Sequence, residues 1–413
     1  MRIAPGKLHG TVPAIPAKAH AHRLLIGAAL ADKATVIHCP APSEDILRTA
    51  QCLDALCAHV ERTEEGFVVT PRAPSQKPLL EVGESGSTYR FLLPVACALG
   101  VNPRFSLAGR LPSRPMDELL DELEKHGMAF SGKGTALLTA QGRLSGGDFQ
   151  LPGDISSQYV SGLLLAAPLM GATTLTLTTP LQSRGYVDIT LSAMAQYGIQ
   201  VEVSPGGYAL SGGHAYRSPG TAAAEGDWSN AAFWLCAAAA GQQPLTVTGL
   251  SLSSPQGDKA IVDMLRLFGA RVEAADDAIS IQPAPLQAAD IDITHTPDLA
   301  PALAILCAGA KGTSTLTGTR RLRMKESDRS HAIAHTLRVL GVPVEEEEDR
   351  LVIRGTGQVH GGTCDSFHDH RIAMMAACLS VLATGDITIT NHEAVGKSYP
   401  HFFADFASLR LDT

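Results

Sequence analysis

Six stretches of the chain are apolar around most of a helical circumference rather than along one stripe: HRLLIGAALAD, YRFLLPVACALG, YVSGLLLAAPLMG, NAAFWLCAAAAG, LAPALAILCAGAKG and RIAMMAACLSVLATG. Helices apolar on every side belong in a core, and their Ala and Gly side chains let several of them approach closely. Five of the stretches end at Gly100, Gly171, Gly241, Gly312 and Gly385, spaced 71, 70, 71 and 73 residues apart, and the first copy ends at Asp32. Each of these glycines is expected just past a helix end, where the left-handed conformation suits a residue without Cβ.

A second, amphipathic helix is predicted in the middle of each of the first five units. LEKHGMAF, MAQYGIQV, LRLFGARV and LRVLGVPV place Gly127, Gly198, Gly269 and Gly341 at intervals of 71, 71 and 72, with LCAHVERTEEGFVV a weaker first copy. Alternating segments such as VEVSPGGYALSG and VEAADDAISI then read as paired strands. The sum is about six βαβαββ-like units of roughly 70 residues. Six units divide as three plus three, giving two similar α/β domains with buried helices and sheets outside. The expected domains are 17–225 and 1–16 with 226–413, with hinges near 15–17 and 225–227. If both connections cross there, the first strand joins the second domain and a ligand cleft lies between the halves.

Composition narrows the class. Apolar residues make up 45% and charged residues 18% of 413, which disfavours disorder, collagen-like structure and a coiled coil. The formal charge of −8 argues against a general binder of nucleic acid or anionic membrane. Eight cysteines lie mostly in apolar runs without a CxxC pair and read as reduced, buried thiols. No export signal is visible, and no apolar run reaches the roughly 20 residues that span a bilayer. A soluble, cytoplasmic, monomeric protein is expected.

The chemistry gathers where helices begin. Lys18 with Arg23, Ser85-Gly86-Ser87 with Arg90, Ser156-Ser157-Gln158, Asp227 with Ser229-Asn230, Asp298, and Asp369-His370-Arg371 precede or open the six apolar helices. The amphipathic helices open near Ser113-Arg114, Ser183-Arg184-Gly185-Tyr186, Gln256-Gly257-Asp258 and Lys325-Glu326-Ser327-Asp328-Arg329. Helix N-termini carry unpaired N–H groups and partial positive charge, and so suit anions. Lys18, Arg23, Arg114, Lys325, Arg329, Arg371 and Lys397 add cations whose crowding a small polyanion would relieve. Ser85, Ser229 and Asp227 also read as simple N-caps, and KESDR as a solvated helix start. His368-Asp369-His370 has no accompanying ligand cluster at metal spacing, so no metal is expected.

With these motifs in hand, the chain resembles the 5-enolpyruvylshikimate-3-phosphate synthase family from about Thr11 to Phe406. The resemblance rests on the order and spacing of SSQ, SRGYVDIT, EGD, TPD, RMKESDR, DHR and GKSYP. It implies two three-repeat domains of the inverse α/β barrel type around a cleft, and neither metal nor organic cofactor. It further implies that shikimate 3-phosphate is held by Lys18, Arg23, Ser156, Ser157, Gln158, Ser183, Tyr186, Asp298 and Lys325. Phosphoenolpyruvate would be held by Lys18, Gly86, Arg114, Gln158, Arg329, Arg371 and Lys397. The implied reaction is addition of the 5-hydroxyl to phosphoenolpyruvate and elimination of phosphate. Lys18, Asp298, Glu326 and Arg371 would be catalytic, Asp298 as base at the hydroxyl and Glu326 as acid and base at the methylene carbon. Ala19, His22, Glu84, Phe91 and Arg321 depart from the residues common in that family. Enolpyruvyl transfer to a UDP-amino sugar is the neighbouring alternative, although SLAGRLPSRPMD lacks a loop cysteine. An inactive ligand-binding relative is a further alternative, and a repeat-built nucleic-acid clamp is disfavoured by the charge.

Overall fold

The computed structural model describes residues 1–275 and 277–410. Two compact units emerge, one formed by Pro16–Ala224 and the other by Met1–Ile15 together with the chain from Glu225 onward.

Each repeat is built in the same way. Strands Leu79–Gly83 and Arg104–Leu107 run parallel, which requires a crossover, and the apolar helix Gly86–Leu99 supplies it. Helix Asp117–Lys125 then leads to the antiparallel hairpin Met128–Ser131 and Leu137–Gly142, whose second strand pairs with Arg104–Leu107. The order first, second, fourth, third recurs in four of the five four-stranded sheets, and in the remaining one Thr221–Ala223, the last of its strands in the chain, takes the place of the first strand. The sixth sheet has three strands, and Arg2–Ile3 adds antiparallel to Ile387–Thr390 in place of a hairpin. The chain crosses between units twice. Gly10–Pro13 pairs parallel with Leu245–Leu250 in one unit, whereas Thr221–Ala223 pairs parallel with Thr35–His38 in the other.

The apolar pattern accounts for the layers. All of Trp228–Gly241 is buried, as circumferential apolarity requires, whereas Asp117–Lys125 buries only Leu119, Leu120, Glu122 and Leu123. The apolar helices of a unit pack on one another, and the sheets cover them through alternate buried positions such as Phe105, Leu107, Leu138 and Ala140.

The helix ends differ in part from expectation. Gly100 is a left-handed cap, and Gly171 follows the 3-10 turn that finishes its helix with φ +99°. Gly241 is the last helical residue, and Gln242 takes the left-handed conformation instead. Gly312 opens a strand, and Gly385 lies beyond a 3-10 turn without positive φ. The glycines of the amphipathic helices are the true C′ residues, with φ between +78° and +99°. Ile199, Ala270 and Val342 close the six-to-one bond of a Schellman turn behind three of them, at 3.0, 3.0 and 2.9 Å.

Candidate active site

Within Pro16–Ala224 the helix starts converge. Ser85 and Ser156 cap their helices through Thr88 N and Gln158 N, so these serines do fill the ordinary capping role. Gln158 then joins two helix starts, accepting from Arg90 Nη1 at 3.0 Å and donating to Ser87 Oγ at 2.9 Å. A Cβ at Gly86 would stand 2.7 Å from Arg90 Nη1 and 2.9 Å from Arg114 Nη1, so its absence lets both guanidinium groups lie against the helix start. Lys18 donates to Asp45 Oδ2 at 2.9 Å, and the Asp45 carbonyl lies 3.5 Å from Thr88 Oγ1. Ser157 is buried, and Ser183 occupies a left-handed N-cap position (φ +55°) without a side-chain cap bond.

Arg23 is only 2% exposed. Nε donates to Thr190 Oγ1 at 2.6 Å, Nη1 to the Ala19 carbonyl, and Nη2 to Ser161 Oγ and the Tyr186 carbonyl at 3.2 and 2.9 Å. Burial lowers its pKa, yet a guanidinium remains charged at neutral pH. His22 lies in the same interior, its Nδ1 2.6 Å from Thr49 Oγ1. Burial first, then Lys18 and Arg23, push its pKa well down, so the ring is neutral.

The second unit has a corresponding cluster. Three cations meet the Asp298 carboxylate: Lys325 Nζ at 3.1 Å and Arg329 Nη1 at 3.0 Å on Oδ1, and Arg371 Nη2 at 3.2 Å on Oδ2. Arg329 also reaches Glu326 at 2.7 Å and the fully buried Asp369 at 2.9 Å. Asp369 in addition caps its helix through Arg371 N and accepts from Ser327 Oγ. Burial pulls the Lys325 ammonium below its ordinary range despite Asp298 beside it. Lys397 ends the 3-10 helix His392–Lys397 and donates to the His368 carbonyl at 3.0 Å.

The sequence-predicted residues thus fall into two groups, with Lys18, Gly86, Arg114, Gln158 and Arg23 in one unit and Asp298, Lys325, Glu326, Arg329 and Arg371 in the other. In the second group carboxylates of the same unit meet the cations, and in the first Asp45 meets Lys18, whereas Arg23 bonds only neutral oxygens. Asp45 was missed, although it opens the amphipathic helix of the first repeat and the helix-start rule applied there finds it. Asp258 was named only as a helix start. It is 3% exposed and accepts from Ser229 Oγ, and burial followed by the charge of Asp298 raises its pKa to about 6. Thr190 closes the SRGYVDIT motif but was given no role, and Ser161 gave no signal because it is an ordinary helix residue in sequence. Among the described residues no cluster of His, Cys, Asp and Glu could hold a metal ion, and no helix is long and apolar enough to cross a membrane.

Repeated βαβαββ units thus present helix starts together with clustered Lys, Arg and carboxylate groups, an arrangement suited to anionic ligands. A family model for EPSP synthase (3-phosphoshikimate 1-carboxyvinyltransferase) matches residues 3–406, and the chain belongs to that family. A relative from Methanocorpusculum labreanum named 3-phosphoshikimate 1-carboxyvinyltransferase is 38% identical over 99% of this chain and 98% of its own. One of the same name from Clostridium kluyveri is 37% identical over 98% and 96%. The solved EPSP synthase of Acinetobacter baumannii aligns with TM-score 0.82 and 26% identity over 99% of this chain and 98% of that one. The enolpyruvyl transferase NikO of Streptomyces tendae shares the fold, with TM-score 0.79 and 21% identity over 99% and 96%.

Proposed function

We propose that the protein transfers the enolpyruvyl group of phosphoenolpyruvate to the 5-hydroxyl of shikimate 3-phosphate and releases inorganic phosphate. The observation that carries this reading is the convergence of Lys325, Arg329 and Arg371 on the two oxygens of Asp298. A carboxylate able to take a hydroxyl proton is held among the cations that two polyanionic substrates require.

Asp298 accepts the proton of the 5-hydroxyl as its oxygen bonds to C2 of phosphoenolpyruvate, while Glu326 delivers a proton to C3. In the second half Glu326 takes a proton back from C3, the C2–O bond to phosphate breaks and the enol ether forms, and the proton held by Asp298 leaves with the phosphate, so both carboxyl groups return to their starting states. Lys18 steadies charge on the departing phosphate oxygen with Arg114, Arg329 and Arg371. Shikimate 3-phosphate is held by Lys18, Arg23, Ser156, Ser157, Gln158, Ser183, Tyr186, Asp298 and Lys325. Phosphoenolpyruvate is held by Lys18, Gly86, Arg114, Gln158, Arg329, Arg371 and Lys397. The protein acts as a monomer in the cytoplasm, a placement supported by eight free, buried thiols.

Phosphate release from the two substrates together tests the reading. The protein turns over with shikimate 3-phosphate and not with UDP-N-acetylglucosamine, and Lys18→Met and Glu326→Gln abolish most of the rate. Turnover with the nucleotide sugar alone, or none with either acceptor, refutes it.

A further inference from the structure

Arg23 is a buried cation whose hydrogen bonds all go to neutral oxygens, those of Thr190, Ala19, Ser161 and Tyr186. It forms no ion pair among the described residues, which sets it apart from Lys18, Arg329 and Arg371. Such a charge needs another source of negative potential, because burial without pairing is costly. The face of the Phe91 ring supplies one: the guanidinium carbon sits 4.6 Å from the ring centroid. An aromatic face is the negative end of a quadrupole, and the attraction strengthens when water is excluded. Phe91 is 1% exposed, so water is excluded here.

The ring itself is held in place. Phe91 lies in the second turn of helix Gly86–Leu99, and that helix meets Ser157–Ala166 at Gly162, where a Cβ would stand 2.2 Å from the Arg90 carbonyl oxygen. The close approach sets the Phe91 backbone beside Gly162, whose chain neighbour Ser161 accepts from Arg23. His22 packs edge-on against the same ring at 6.2 Å and 81°. The ring therefore meets both His22 and Arg23, and the guanidinium meets both the ring and oxygens of two further helices.

We propose that Phe91 is a positioning residue for the acceptor substrate: its ring stands in for a carboxylate, holding Arg23 in a fixed plane without neutralising it and so leaving its charge for the anionic shikimate 3-phosphate. A carboxylate in that place would pair with Arg23 and compete with the substrate. An aliphatic side chain would leave the cation without electrostatic support. The inference rests on the functional reading above, and extends it to a residue that touches no substrate.

The test uses Phe91→Leu and, at the same position, site-specifically incorporated trifluorophenylalanine, which keeps the ring shape while weakening its negative face. The KM for shikimate 3-phosphate rises about tenfold in Phe91→Leu and by a smaller factor in the fluorinated protein. The KM for phosphoenolpyruvate and kcat stay within about twofold, because the substrate-specific split follows from an effect confined to Arg23. Adding Arg23→Lys to Phe91→Leu raises KM by less than the product of the single effects. The proposal is overturned if both KM values rise together, if the fluorinated protein matches wild type while Phe91→Leu only loses stability, or if the two substitutions multiply. Failure of the functional reading is recognised separately, since the unaltered protein then releases no phosphate from the two substrates, and the proposal falls with it.

Discussion

Arg329 donates from Nε to Asp369 Oδ2 across 2.9 Å, and the two side chains are 1% and 0% exposed. Burial by itself pushes the Asp369 carboxyl up, but Arg329 outweighs it and holds the group below its ordinary range. A depressed carboxyl pKa contributes stability that is present above the unfolded value and is lost as pH falls through the folded one. Asp369→Asn keeps a capping side chain for Arg371 N and removes only the charge. It should lose about 1–3 kcal/mol at pH 7, the cost of a charge-assisted bond, because Arg329 keeps Asp298 and Glu326 as partners. The deficit should narrow below about pH 4, where wild type loses the same interaction. Urea unfolding at the two pH values measures both, and an equal loss at each would assign the effect to packing.

Asp258 has the opposite sign. Burial and the charge of Asp298 raise its pKa to about 6, so its folded form favours the proton. The stabilisation is complete below the unfolded value near 4 and is lost as pH rises through about 6, above which the buried charge is a cost. Asp258→Asn should therefore be more stable than wild type at pH 8 and no more stable at pH 4. Unfolding midpoints at the two pH values decide the matter, and a variant less stable at pH 8 would show that the Ser229 contact outweighs the charge.

All eight cysteines are buried and free. Burial pushes Cys39, Cys52, Cys57, Cys307 and Cys364 up to about 12 and raises Cys97, Cys236 and Cys378 as well. A thiol that is neither ionised nor accessible does not attack a disulfide reagent. Native protein at pH 8 should leave all eight unreacted over minutes, and denatured protein should release the full count. A fast-reacting thiol in the native state would contradict the packing.

The layers were legible because apolarity around a whole helix and apolarity along one stripe demand different depths, and a repeat near 70 residues displays the contrast several times. The candidate cations were legible for a related reason, since they recur at helix starts. Their neutralisation was not. Asp369 and Asp45 meet Arg329 and Lys18 from positions 40 and 27 residues away, and only folding brings those pairs together. The sixth sheet was unreadable in the same way, because Arg2 pairs with Thr388 from the far end of the chain. Phe91 was visible only as a departure from the family pattern. Its meaning required the guanidinium that lies over its ring.

Helix ends supply the last test, since here sequence spacing and backbone geometry disagree by one residue. Gly241 looks like the C′ glycine of Trp228–Gly241, yet it is the last helical residue, where an added Cβ would stand 3.2 Å from Val381 Cβ. The left-handed position falls to the exposed Gln242, with φ 53° and ψ 48°. A side chain there pays a steric penalty that glycine escapes, less the greater freedom glycine has when unfolded. Gln242→Gly should thus stabilise the protein by about 0.5–1 kcal/mol. Gly241→Ala gains helix propensity but crowds Val381, and should be neutral or destabilising. Urea midpoints of the two variants should move apart, upward for Gln242→Gly and not upward for Gly241→Ala. The reverse order would mean that Gly241, as its spacing suggests, is the residue that ends the helix.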